Sequence, residues 1–307
     1  MTGVLTGFAI IGVIIGAGYL VGRTGLLGPE AGRSLSRLVF FVLSPCLLLT
    51  VLADADVHVL FSSLLLTSAI AAVLSCLLFA GIALLVWRRR LPEAVVGSLG
   101  SGYVNANNIG IPVAVYVLGD PAYSAPVILL QLLLLAPVAL TLLDLGTSGD
   151  VSLRRILLQP VRNPLIIGSA LGVLIAVSGW NPPDALLEPF RLVGAAAVPI
   201  VLLGFGMSLH GQRPLASGTE RRDVLLAVAL KLVFMPLAAW LVGTALGLAP
   251  AALYAVVVLA ALPSAQNVFN YAQRYDRGVV LARDTVLLTT VGSIPVLVVV
   301  SLVLAHA

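Results

Sequence analysis

The sequence predicts an all-α membrane protein, and three observations carry that prediction. Only 10% of the 307 residues are charged while 60% are hydrophobic, against about 25% charged in a typical soluble domain. Apolar runs of about 20 residues recur along the whole chain, each long enough to cross roughly 30 Å of hydrocarbon. The runs are unbroken rather than alternating, which excludes a barrel and leaves helices to satisfy the backbone in lipid.

Ten spans follow, near residues 3–21, 35–53, 59–86, 94–118, 124–144, 164–179, 190–209, 224–246, 250–272 and 282–304. The first run lacks a basic flank and a cleavage site, so it is expected as a retained span rather than a signal peptide. Basic residues alternate through the connections. Arg23, Arg33 and Arg37 belong to the first, Arg88, Arg89 and Arg90 to the third, and Arg154, Arg155 and Arg162 to the fifth. Arg213, Arg221 and Arg222 belong to the seventh, and Arg274, Arg277 and Arg283 to the ninth, whereas the even connections hold only Arg191. Under the positive-inside rule the odd connections are cytoplasmic and both termini face outward. The net charge of +4 is thus accounted for by topology, and nucleic acid is not an expected partner.

The two halves resemble each other. Arg37-Leu38-Val39 with Pro45 matches Arg191-Leu192-Val193 with Pro199 at identical internal spacing, and Asn105-Ala106-Asn107-Asn108 in span 4 matches Ser264-Ala265-Gln266-Asn267 in span 9. Five spans per half is an odd number, so the halves insert with opposite orientation. The expected architecture is a 5+5 inverted repeat, residues 1–145 and 164–307, joined by a short cytoplasmic linker at 146–163. Inverted repeats are common in secondary transporters, with substrate held near the midplane.

Spans 4 and 9 contain the residues least suited to lipid. Asn105, Asn107 and Asn108 would each cost free energy if exposed to hydrocarbon, while Gly110 and Pro112 weaken the helix that carries them. Pro263, Ser264, Gln266, Asn267 and Asn270 repeat the theme in span 9. Both helices are therefore expected to be broken, at Val104, Gly110 and Pro112 in one and at Pro263 in the other. A break exposes a half-helix N-terminus, whose unpaired N–H groups and dipole attract negative charge. Two such ends would form an anion site from Asn105, Asn107, Asn108, Ser264, Gln266 and Asn267. Kinked helices whose amides bond their neighbours are the alternative.

Other polar residues are less telling. No acidic residue falls near the middle of a span, Asp144 and Asp284 coming closest, which disfavours a proton-carrying carboxylate. Lys231 is the one cation inside a span, and it is read as snorkelling, as structurally paired, or as lying near the anion path. Gln131 and Asn270 are further accessory candidates. Cys46 and Cys76 read as packing residues, His58, His210 and His306 are scattered, and no metal, cofactor or catalytic motif is present.

With these residues in view, the chain resembles the auxin efflux carrier family of plant auxin carriers and bacterial malonate or malate carriers. The likeness rests on Asn105 followed by Gly110-Ile111-Pro112, on Arg162-Asn163-Pro164, and on Ala261-Leu262-Pro263 followed by Phe269, Ala272 and Tyr275. It implies ten helices in which broken helices 4 and 9 cross. It also implies a homodimer built on scaffold helices 1, 2, 6 and 7, and a transport unit of helices 3–5 and 8–10 moving as an elevator. Asn105 matches the crossover asparagine that touches the substrate carboxylate in plant members, and Pro263 matches their second crossover proline. Val104 stands where plant members have the first. The resemblance thus implies an inner-membrane carrier for a small organic anion, without cofactor or enzymatic activity. A transporter-like sensor or regulator is the alternative. Sodium coupling, as in the related bile-acid symporters, and proton coupling both stay open.

Overall fold

The computed structural model describes residues 2–28, 30–54, 63–147, 164–208, 210–211 and 221–304. The expected linker at 146–163 lies almost wholly outside them, as do Arg213, His58 and His306. Among the described residues every regular element is helical, and the one strand-like feature is an isolated antiparallel bridge between Val104 and Ser264.

Five helices are long and apolar enough to cross a membrane: Ser63–Val86, Pro121–Thr147, Asp184–Met207, Arg221–Ala245 and Val279–Leu304. Shorter apolar helices cover Val39–Ala53, Ala106–Leu118, Pro164–Ser178 and Pro250–Ala260. Thr2–Thr24 forms the first helix, and Ala31–Leu38, Leu91–Gly102 and Gln266–Tyr275 are helical as well. Large apolar side chains such as Val13, Leu77, Leu85, Leu192 and Val303 are exposed on these helices, where water would be a poor solvent and lipid a good one.

Several prolines follow π-helical turns. Val39–Leu43, Ala106–Gly110, Gln131–Leu135 and Leu230–Phe234 are such turns, and each ends two residues before a proline: Pro45, Pro112, Pro137 and Pro236. Proline lacks an N–H and collides with the carbonyl of the preceding turn. Widening that turn by one residue relieves the collision without ending the helix. The π turns Ile82–Val86 and Ala114–Leu118 have no such proline, and Pro189 and Pro295 sit inside α-helices, so the pairing holds at these four places rather than everywhere.

The chain divides into two compact units. The first comprises residues 1–62, 107–129 and 157–212, and the second 63–106, 130–156 and 213–307. In the first, close helix approach depends on glycine. Gly18 and Gly206 place helices 2–24 and 197–208 in backbone contact at Leu203 and Ile15, and Gly168 does the same for helix 164–178 at Pro45. In the second, Phe79, Val96, Leu99, Tyr103, Leu143 and Val268 lie in one buried cluster, the Phe79 ring filling the space a Cβ on Gly97 would need.

A Cβ on Gly206 would overlap the Ile15 carbonyl, whereas one on Gly12 meets nothing within 4 Å. Gly206→Val is therefore expected to destabilise by about 1–3 kcal/mol, read as a lowered Tm of the detergent-purified protein, with Gly12→Ala leaving Tm unchanged. Equal Tm values for both variants would contradict this packing.

Candidate functional site

The break in span 4 is built from a helix that ends for lack of carbonyl partners. Helix Leu91–Gly102 runs out at Tyr103, whose N–H donates to the Leu99 carbonyl at 2.8 Å and whose backbone is extended at φ −95°, ψ 98°. The chain stays non-helical through Asn105 and resumes at Ala106. In span 9, helix Pro250–Ala260 stops at a comparable place and helix Gln266–Tyr275 resumes beyond Ala265. Both expected breaks are present. Their position in span 4 is Tyr103–Asn105, because Gly110 has helical angles of φ −63° and ψ −45° and Pro112 sits in the first turn of the next α-helical stretch. Those two residues, expected at the break, lie in continuous helical backbone, since the preceding π turn absorbs the proline.

The two breaks cross and pair. Asn105 N–H donates to the Pro263 carbonyl at 2.8 Å, and Ala265 N–H donates to the Tyr103 carbonyl at 2.9 Å. This is a minimal antiparallel ladder about Val104 and Ser264, so four backbone groups freed by the breaks satisfy one another.

Side chains meet several of the other freed groups. Gln131 Nε2 donates to the Val104 carbonyl at 2.9 Å. Ser264 Oγ donates to the Gly100 carbonyl, and the Ser264 N–H donates to Thr289 Oγ at 3.1 Å. Ser75 Oγ donates to the Ser101 carbonyl at 2.7 Å, and Cys76 Sγ to the Ser98 carbonyl at 3.2 Å. Lys231 Nζ donates to the Ala260 carbonyl, the last of its helix. Ser75, Ser101, Lys231, Ser264 and Thr289 are each fully enclosed. Gln131 and Lys231 both sit in π turns that precede a proline, so the prolines in effect place the two long capping side chains.

The candidate residues fall into three groups. Asn105 is buried at 6% exposure on the crossing itself, while Gln266 and Asn270 are exposed on the resuming helix and Asn267 is half-buried between them. Asn267 shares the Tyr103 hydroxyl with Tyr271. Ser264 and Gln131 have their hydroxyl and amide N–H engaged in capping, as above. Asn107 and Asn108 fall in the other compact unit, where Asn107 Nδ2 donates to Asn108 Oδ1 at 2.9 Å. Lys231 does not snorkel: its side chain is 0% exposed and its head points at a carbonyl inside the protein.

Tyr103, Tyr271, Ser75, Cys76, Ser101 and Thr289 were not foreseen. Only Tyr103 carried a signal, as the aromatic residue immediately before the break. The buried carboxylates are held by arginines: Asp223 by Arg89 through bonds of 2.7 and 3.1 Å, and Asp284 by Arg283 at 2.8 Å. Among the described residues no group of three or more metal-binding side chains occurs.

Gln131→Leu keeps most of the side-chain volume and leaves the Val104 carbonyl with the Ala106 N–H alone, at 2.8 Å. The expected loss is about 0.5–1.5 kcal/mol of stability, seen as a lowered Tm in detergent; an unchanged Tm would mean that the Gln131 bond adds nothing to the crossing.

A sequence profile described as membrane transport protein matches residues 4–301. A transporter of Escherichia coli (strain K12), YfdV, whose activity is uncharacterized, is 24% identical over 273 residues, covering 86% of each chain. A Rhizobium meliloti protein named "Putative malonate transporter" is 28% identical over 291 residues, 92% of this chain and 89% of its own. An uncharacterized transporter of Methanothermobacter thermautotrophicus is 26% identical over 287 residues, 92% of each. The match spans nearly all of a strongly apolar chain, helical in its regular elements among the described residues, whose relatives are transporters rather than enzymes, and the protein belongs to the membrane transport protein family, that of the auxin efflux carriers.

Proposed function

We propose that the chain is a secondary carrier that moves a small organic anion, a carboxylate, across the cytoplasmic membrane by elevator-type alternating access. The observation that carries this reading is the crossing of two interrupted helices, closed at Asn105–Pro263 and Ala265–Tyr103. A membrane protein gains nothing structurally from breaking two helices at matched places. A break does create polar backbone ends away from water, which a substrate can use.

The anion is held by groups of the second compact unit. The N-terminal turn of helix Gln266–Tyr275 supplies unpaired N–H groups and a positive dipole end. Asn105, Gln266 and Asn267 supply neutral amides, and Gln131, Ser264 and Tyr103 hold those parts in place. Such a site reads charge and size. Malonate is the first substrate to test because a relative carries that name.

The division of the chain supports a moving and a fixed part. The helices of 63–106, 130–147 and 221–304 group together, and those of 2–54, 107–129 and 164–208 form the other unit. The former would carry the substrate and the latter would be the dimerising scaffold. The ten-span inverted repeat with outward termini remains part of this proposal. For an uncoupled carrier, an inside-negative potential of about 100 mV contributes about 2.3 kcal/mol toward export of each negative charge, so efflux is its natural direction.

The test is flux of radiolabelled malonate by purified protein in vesicles with an imposed potential. Flux that follows the potential is expected, and Asn105→Ala should reduce it about tenfold or more, as loss of one hydrogen bond to a charged group implies. Flux absent for malonate and other small carboxylates, with binding intact, would favour a sensor that retains the carrier fold.

A further inference from the structure

We propose that Lys231 is a tethered cation that neutralises the negative end of helix Pro250–Ala260 at the crossing, so that the carrier works without sodium or any other dissolved cation. This inference rests on the carrier reading for its consequence and on the structure for its geometry. The chain holds sixteen arginines but one lysine, Lys231. Its ammonium is fully enclosed and donates to the carbonyl of Ala260, the C-terminal residue of helix Pro250–Ala260. Cys76 lies close to it, and the Cys76 thiol caps Ser98 in the last turns of helix Leu91–Gly102. The ammonium thus stands at the C-terminal end of helix Pro250–Ala260, with Cys76 between it and helix Leu91–Gly102. Each such end carries a partial charge of about −0.5.

A compact ammonium is a point charge with three donors, unlike the planar fork of arginine. In that position it does what a monovalent metal ion would do among helix-end carbonyls. Among the described residues no carboxylate pairs with Lys231. Asp223 and Asp284 are engaged with Arg89 and Arg283, and Asp144 accepts from Tyr275 at 2.7 Å. The partner of the charge is therefore the backbone itself.

The placement also says what Lys231 does not do. A substrate anion is drawn to the N-terminal ends, at Gln266, whereas the ammonium serves the C-terminal end, at Ala260. It is a positioning residue. Its charge offsets a negative helix end that would otherwise repel the anion, and it travels with the same unit as Asn105 and Gln266. A carrier that owns this cation has no need to borrow one, which separates it from a sodium-coupled symporter of similar architecture.

The experiment compares wild type, Lys231→Ala and Lys231→Ser, purified in detergent and reconstituted in vesicles. Thermal unfolding is followed in sodium, potassium and choline chloride, and labelled malonate flux in vesicles with sodium or choline outside. Wild type should show the same Tm and the same rate in every salt. Lys231→Ala should lose several degrees of Tm and most of its flux, and butylammonium or a small metal cation should restore a measurable part of the Tm while 1-butanol should not. A sodium-dependent rise in wild-type Tm or flux overturns the proposal, as does a lysine-free variant with unchanged flux or one whose stability ignores every cation. Lys231→Ser is read the same way if Lys231→Ala does not fold, and if neither folds the wild-type salt series decides. Should malonate not be moved in any salt, the substrate assignment falls, while the cation response of Tm still tests Lys231.

Discussion

The structure depends on one constraint: a helix interrupted within hydrocarbon releases carbonyls from its first half and N–H groups from its second, and lipid can satisfy neither. An unmet group of this kind costs several kcal/mol. At Tyr103–Asn105 and Pro263–Ala265 the two sets of freed groups are brought together, so that each break answers part of the other's demand. The residue types follow from this arrangement. Ser75, Gln131, Ser264, Thr289 and Lys231 each direct a donor or acceptor at a freed backbone group. None of them is an accident of packing.

The crossing also sorts charge. C-terminal half-helix ends are negative and attract Lys231, while N-terminal ends are positive and are left for an anion, with only neutral amides around them. On the proposed reading, a single pair of breaks yields both a place for an internal cation and an anion-attracting surface within one compact unit. The prolines connect sequence to this outcome. Pro137 and Pro236 each impose a π turn on the residues just before them, and those turns present Gln131 and Lys231 to the crossing. Bulk apolar character sets the number and length of the helices, but a few punctuating residues set where the polar chemistry sits.

Much of this was legible in the sequence because lipid imposes strong rules. Length and apolarity alone marked the helices, and asparagines at membrane depth together with Pro263 marked the interruptions. Less could be read at finer scale. Gly110 and Pro112 looked like the break, yet the chain parts at Tyr103–Asn105, because the π turn Ala106–Gly110 accommodates Pro112 without ending the helix. Lys231 looked able to snorkel, since sequence gives depth along a helix but not the direction a side chain faces. Ser75, Cys76 and Thr289 carry no signature at all, being small residues on apolar helices whose role depends on long-range contacts. Asn107 and Asn108 share a motif with Asn105 but fall in a different compact unit, a division that local spacing does not encode.

The pairing of the breaks is most directly tested by a disulfide. In the antiparallel bridge Val104 and Ser264 face each other as the pair flanked by the two hydrogen bonds, a geometry with Cα atoms about 4.5 Å apart and within disulfide reach. A protein lacking Cys46 and Cys76 and carrying Val104→Cys with Ser264→Cys should, while folded, close an intramolecular disulfide on mild oxidation, seen as the loss of two titratable thiols. Folded protein that keeps both thiols under the same oxidant would show that the two interrupted helices do not meet at these residues, and the crossing would fall with it.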